Sequence, residues 1–189
     1  MEQQFWQSRY EQSQTGWNIG DVSTPIKAYL DQLTDKNIKI LIPGCGFGYE
    51  AIYAHELGFK NVYVLDFVRE ALQQLKINCP TFPSEHILQA DFFQIEGEYD
   101  LIIEQTLFCA INPNQRENYA KQVDRILKKG GKLVGLFFNR DFESGPPFGG
   151  NIEEYQNTFS PYFEKIEISP CYNSIPARAG SEVFIQFIH

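Results

Sequence analysis

The sequence is poor in basic side chains, in histidine and in methionine. Its 189 residues hold 16 Lys and Arg against 24 Asp and Glu, a formal net charge of −8. A surface of that sign repels phosphate backbones, so no nucleic-acid partner is expected. His55, His86 and His189 are scattered and read as surface or structural groups rather than a catalytic set. The four cysteines, Cys45, Cys79, Cys109 and Cys171, make no C-x-x-C pair and no short disulfide framework. They are expected as reduced thiols of a cytoplasmic protein, with Cys109 a buried structural thiol. No His/Cys/carboxylate set has ligand spacing, so no metal is expected. No apolar run approaches the ~20 residues that span a bilayer, which argues against a membrane partner. The start, "MEQQFWQSRYEQ", lacks the basic and then apolar pattern of a signal peptide. Repeats, low-complexity tracts and linkers are also missing, and one domain over residues 1–189 is expected.

Aromatic residues are plentiful, with 16 Phe and 10 Tyr against one Met. That bias favours a core of rigid rings and a site able to grip flat or polarisable ligands. Along the chain, strands and helices alternate. After "STPIKAYLDQL", a helix capped by Ser23 or Thr24 with Pro25 in its first turn, the strand "NIKILIP" runs into the glycines. Further strands follow at "NVYVLDF", "EHILQAD", "YDLIIEQ" and "KLVGLFFN". Helices lie between them at "YEAIYAHELG", "REALQQLKIN" and "QRENYAKQVDRILKKGG", and a short one at "NIEEYQNTFS" follows. The last two strands, "YFEKIEIS" and "EVFIQFIH", have no helix between them. This order predicts an α/β fold with a seven-stranded, mostly parallel sheet covered on both faces and closed by an antiparallel hairpin.

The stretch "ILIPGCGFGYE" carries Gly44, Gly46 and Gly48 at the end of the first strand and the start of a helix. Such a turn is either tight packing alone or a cradle for a nucleotide-like ligand, because ligands of open α/β sheets bind at this edge. Asp66 ends the second strand about 20 residues on, the spacing of an acid that binds ribose hydroxyls. It can equally cap the helix that follows. Asp91 ends the third strand, where an adenine edge would lie. Tyr49 stands where the dinucleotide fingerprint has its third glycine, which weakens a nicotinamide reading.

These features resemble a class I S-adenosylmethionine-dependent methyltransferase, and in finer detail the thiopurine S-methyltransferase family. Within it the sequence is similar to the branch of plant thiol, thiocyanate and halide methyltransferases. The residues that carry the resemblance are "FWQSRY", "TGWNIG", "LIPGCGFGYE", "DLIIEQTLFCAINP", "GPPF" and "PARAG". The resemblance implies a three-layer Rossmann-like fold whose seventh strand inserts antiparallel between the fifth and sixth. It implies S-adenosyl-L-methionine as cofactor, with S-adenosyl-L-homocysteine as product. The N-terminal segment, residues 1–22, would be an aromatic lid placing Trp6, Tyr10 and Trp17 beside the sulfonium. Gly44, Gly46 and Gly48 would hold the methionine portion, Asp66 the ribose, and Asp91 with Phe92 the adenine. Phe67 is counted with the cofactor side. Glu104, Gln105 and Thr106 would line the floor near the methyl group, and Arg116 the cofactor end of the pocket. Asp21, Gln105 and Arg178 are the substrate-side candidates; Gln105 departs from the aromatic residue of the plant branch.

Transfer from a sulfonium to an anion needs alignment more than a base. Halide and thiocyanate require none, and a thiol of pKa near ~8.5 is partly thiolate at neutral pH. Aromatic faces suit a sulfonium on the cation–π principle. The same rings can instead serve only to pack the N-terminal segment. The expected activity is methyl transfer to a small sulfur or halide nucleophile, by a monomer or weak dimer. A thiopurine-like aromatic thiol, a selenium or tellurium species, a small amine, a non-catalytic cofactor-binding module and a nicotinamide oxidoreductase are the alternatives.

Overall fold

The computed structural model describes residues 3–189; Met1 and Glu2, the first two residues of the expected lid, lie outside the described residues. Helix α1 (Gln3–Glu11) and helix α2 (Thr24–Asp31) precede the sheet. Strand β1 (Lys39–Pro43) leads through the glycine turn into α3 (Tyr49–Glu56). Then come β2 (Asn61–Asp66), α4 (Arg69–Asn78), β3 (Ile87–Gln89) and β4 (Tyr99–Gln105). The chain continues with α5 (Arg116–Ile126), β5 (Leu127–Phe138), α6 (Ile152–Phe159), β6 (Lys165–Pro170) and β7 (Glu182–Ile188). The seven strands form one sheet in the order β3-β2-β1-β4-β5-β7-β6. β1 pairs in parallel with β2 and β4, while β7 lies antiparallel between β5 and β6, as the resemblance implied.

Side-chain alternation splits the core into two layers. Ile40, Ile42, Val62, Val64, Ile103 and Val134 face α2, α3 and α4, among Ile26, Ala51 and Leu75. Leu41, Leu65, Ile102 and Leu133 point the other way, into a layer with Tyr119, Val123 and Phe159 of α5 and α6. Strands buried on both faces read as continuous apolar runs, which is why β1, β2 and β4 are legible without polar alternation. In the second layer Phe108 stacks on Phe137 at 4.2 Å, with Tyr119, Tyr155 and Phe159 edge-on or tilted around it. That cluster is the rigid-ring core foreseen from composition.

Three local features differ from the expectation. The polar N-terminal stretch forms α1, with none of its residues buried, so its apolar periodicity is too weak to be seen. β3 has only three residues, preceded by a 3-10 turn at Ser84–His86. α5 stops at Ile126 and β5 already starts at Leu127, five residues before the expected strand. Pairing decides this: Leu127 sits opposite Tyr99, and the register then jumps to Lys132 opposite Leu101. Gly130 at φ +78 turns the extra residues outward. The backbones of Gly130 and Gly131 exchange hydrogen bonds with His189, giving the bulge its own partners.

Candidate active site

In a sheet of this order, β1 and β4 start chains of crossovers that run to opposite sides, and a crevice opens above their C-terminal ends. A cavity of about 530 Å³ lies there, within the range of small-molecule sites. Its floor is the glycine turn. Gly44 and Gly46 have φ of +62 and +53, a left-handed backbone that side chains resist. A Cβ on Gly44 would meet Leu107 Cδ1 at 2.9 Å, and one on Gly46 the Tyr10 hydroxyl at 3.2 Å. Both glycines line the cavity, so a side chain would fill the cradle. Gly48 does not line it. At φ +79 it precedes α3, and a Cβ there would meet Leu75 Cδ1 of α4 at 2.2 Å. Gly48 therefore lets α3 and α4 approach, the packing role that Tyr49 cannot fill.

Asp66 sits at the end of β2 and is nearly buried. Its carboxylate accepts from the Gly46 N–H at 3.1 Å and the Val68 N–H at 2.9 Å, joining the glycine turn to the start of α4. Burial raises its pKa to about 6, the backbone hydrogen bonds pulling the other way. Asp66, Phe67, Asp91 and Phe92 all line the same side of the cavity. Asp91 accepts from the Phe93 N–H and caps a 3-10 turn, so its capping and cavity-lining positions coexist.

The N-terminal rings pack on one another beside the glycine turn. Trp17 lies edge-on to Trp6 at 5.2 Å and to Tyr10 at 5.5 Å, and Tyr10 in turn lies against Phe47 of the glycine turn at 5.5 Å. Gln3 adds a tether, its Nε2 donating to the Phe67 carbonyl at 2.7 Å. Burial, with Asp66 nearby, drives the Tyr10 phenol far above its usual range, so it remains a neutral donor. Trp6, Tyr10, Trp17 and Asp21 all line the cavity.

The end of β4 supplies a further part of the lining. Thr106, a β-branched residue, holds φ +67, a strained conformation costing about 1–3 kcal/mol. Its surroundings impose it. Glu104, wholly buried, accepts from the Phe108 N–H at 2.9 Å and from the Tyr119 hydroxyl at 2.7 Å, while the Cys109 thiol donates to the Thr106 carbonyl at 3.2 Å. Gln105 and Thr106 line the cavity, but Glu104 lies behind them. Gly135 of β5 makes room for it, since a Cβ there would meet the Glu104 carbonyl oxygen at 2.1 Å. Burial raises the Glu104 pKa to about 7 and the Cys109 thiol to about 12.

Arg116 is likewise absent from the cavity lining. Its guanidinium is buried against the Phe108 ring, pairs with Glu154 and donates to the Gly149 carbonyl at 2.7 Å. It fastens the loop after β5 to α6. Arg178 does line the cavity, paired with Glu182 at 3.4 Å and donating to the Trp17 carbonyl at 3.2 Å, so it also anchors the N-terminal segment. None of His55, His86 and His189 lines it; His86 packs on Tyr63 at 4.1 Å and His189 pairs with Asp124.

Glu50 and Arg140 are among the charged lining residues that were missed. Glu50, in the first turn of α3, accepts from the Ser23 N–H at 3.1 Å, and burial raises its pKa. Its place directly after the glycines was the available signal. Arg140, in the loop after β5, has no motif around it that marks it.

The cradle, the acid after β2 and the ring-lined mouth fit a flat, cationic adenosine cofactor, and the fold and crevice define an S-adenosylmethionine-dependent methyltransferase. A solved structure of Burkholderia thailandensis 1,6-didemethyltoxoflavin-N1-methyltransferase has the same fold, at TM-score 0.72 with 15% identity, covering 98% of this chain and 85% of that one. The family model for thiopurine S-methyltransferase matches residues 1–177, and the chain belongs to that family. Among curated relatives, "Probable thiol methyltransferase 2" of Arabidopsis thaliana is 33% identical, over 94% of this chain and 81% of its own length. "Thiocyanate methyltransferase 1" of Brassica oleracea is 28% identical, over 96% and 83%. The chain is thus a methyltransferase enzyme.

Proposed function

We propose that this methyltransferase acts on a small sulfur nucleophile, a thiol or thiocyanate, and by the same chemistry on halide. When bound, the cofactor would supply a methyl carbon on a sulfonium, open to in-line displacement by an anionic sulfur with a neutral thioether as leaving group. The chain's own residues hold and align the reactants, which can contribute about 7–11 kcal/mol to lowering the barrier. Gly44, Gly46, Asp66, Asp91 and Phe92 hold the cofactor, and Trp6, Tyr10 and Trp17 close over it and exclude water. Gln105 and Thr106, at the end of β4, line the cavity as well.

One observation carries this reading: the distribution of charge around the cavity. The lining carboxylates, Asp21, Glu50, Asp66 and Asp91, all come from segments before β4, where Arg9 is the one lining cation among the described residues. The segments after β4 contribute Arg140 and Arg178, with rings and prolines, and no carboxylate or imidazole. The first half suits a cationic donor. The second suits an acceptor that arrives already anionic and needs no base. The two thiols that line the cavity, Cys45 and Cys109, are held protonated by their burial and are no competing nucleophiles.

The test is labelled methyl transfer to iodide, thiocyanate, hydrogen sulfide and thiophenol side by side, with calorimetry for S-adenosylhomocysteine. Turnover of the sulfur acceptors is expected. A strict preference for nitrogen acceptors would refute the sulfur reading, and cofactor binding without turnover on any acceptor would mark a non-catalytic module.

A further inference from the structure

We infer that Glu104 is a positioning residue for the cofactor. From behind the cavity its carboxylate holds the turn at Thr106 and, through Leu107, fixes the place of the glycine cradle at Gly44.

The cradle is secured differently on its two sides. Toward β2 the backbone does the work: the Cys45 N–H donates to the Leu65 carbonyl at 3.1 Å, and the Gly46 N–H to Asp66 at 3.1 Å. Toward β4 the ladder is short. It pairs Ile40 with Leu101 and Leu41 with Ile102, and goes no further. β4 stays instead with β5, as far as Gln105 opposite Leu136. The ends of β1 and β4 thus part where the crevice opens, and Leu107 meets Gly44 across the gap. Its Cδ1, Cβ and Cγ would lie 2.9, 3.1 and 3.3 Å from a Cβ on Gly44. Both residues line the cavity, and Leu107 is buried.

Where Leu107 stands depends on the backbone of Thr106. A β-branched residue resists φ +67, so something outside Thr106 must hold it there. Glu104 is placed to do so. Its Oε1 accepts from the Phe108 N–H at 2.9 Å, closing a loop over residues 105–107. Its Oε2 accepts from the Tyr119 hydroxyl of α5 at 2.7 Å, which keeps the carboxyl from swinging away. Glu104 is wholly buried and does not line the cavity, so it acts on the cofactor only through the turn. A strand buried on both faces calls for an apolar residue at this position, and burying a carboxyl is unfavourable for folding. The acid therefore serves something the core itself does not need. A cradle set in advance spares the cofactor the ordering of the turn on binding.

The test is S-adenosylhomocysteine affinity by calorimetry for Glu104→Leu and Glu104→Gln, each made in the wild type and in a Thr106→Gly background, with urea denaturation alongside. In the wild-type background Glu104→Leu should weaken binding about tenfold. Glu104→Gln, whose amide oxygen still accepts from the Phe108 N–H, should stay within about twofold. Glycine takes the left-handed backbone freely and needs no clamp. In the Thr106→Gly background Glu104→Leu should therefore change affinity less than about twofold, and this comparison removes whatever Thr106→Gly does by itself. Equal losses in both backgrounds, or no loss in the first, overturn the inference, because a purely structural acid would behave so. Loss of binding in Thr106→Gly alone also overturns it, since the Thr106 side chain would then serve the cofactor directly. Should Glu104→Leu fold only in the Thr106→Gly background, the clamp is supported; failure to fold in both overturns it.

Discussion

Replacing Glu104 by Gln should stabilise the protein at alkaline pH and destabilise it by about 1 kcal/mol at acid pH. Burial raises the pKa of this carboxyl from 4.5 to about 7, against the pull of its hydrogen bonds from Phe108 and Tyr119. The folded state therefore holds a proton that the unfolded chain releases above about pH 4.5. Stability is full below that value, falls as pH rises, and reaches its lowest once pH passes the folded pKa. At about 1.4 kcal/mol per pH unit, the separation comes to about 3 kcal/mol. The substituted amide keeps an oxygen for the Phe108 N–H, and its nitrogen can donate to the Tyr119 oxygen. The reversed bond leaves the Tyr119 proton unpaired in a buried site, which costs about 1 kcal/mol or more. A net gain of about 1–2 kcal/mol at pH 8.5 remains, or roughly 2–8 °C in Tm for a chain of this size. Thermal and urea denaturation of both proteins between pH 4.5 and 8.5 measures this. The wild type should lose stability across the range, and the variant should lose less. If the variant is equally destabilised at both ends, or the slope does not change, the charge of Glu104 is not what burial acts on.

Asp66, raised to about 6 by burial, should strengthen its hold on ribose hydroxyls as it ionises. S-adenosylhomocysteine affinity is therefore expected to climb from pH 5 to 7.5, and Asp66→Asn should bind about tenfold more weakly with a flat profile, read by calorimetry. Trp17→Ala removes the ring shared by Trp6 and Tyr10, and should weaken S-adenosylmethionine more than S-adenosylhomocysteine, by a further factor of about 2–10, since only the former carries the sulfonium. Equal losses for both ligands would mean that Trp17 only packs the segment. Arg116→Ala leaves Glu154 and the Gly149 carbonyl without their partner, and should cost about 3 kcal/mol in urea denaturation. Its effect should appear in stability rather than in affinity for cofactor.

The sequence by itself determined the order and type of the elements, because both signals are local. A strand buried on both faces must be continuously apolar, and a left-handed turn or a close approach must be glycine. "NIKILIP", the glycines and Asp66 could therefore be assigned to one edge of the sheet without coordinates. Tertiary structure decided whatever depends on which side of a strand a residue faces and on what meets it across the sheet. Glu104 and Gln105 are adjacent on β4, yet one turns into the core behind Gly135 and the other into the cavity. Arg116 was placed by motif at the cofactor end, whereas α5 carries it to Glu154 and away from the crevice. The start of β5 was set by pairing with Tyr99, a contact that no run of local residues encodes. Arg140 lies in a loop, where side-chain periodicity carries no information. Only the fold of the segment between β5 and α6 brings its guanidinium to the lining of the cavity.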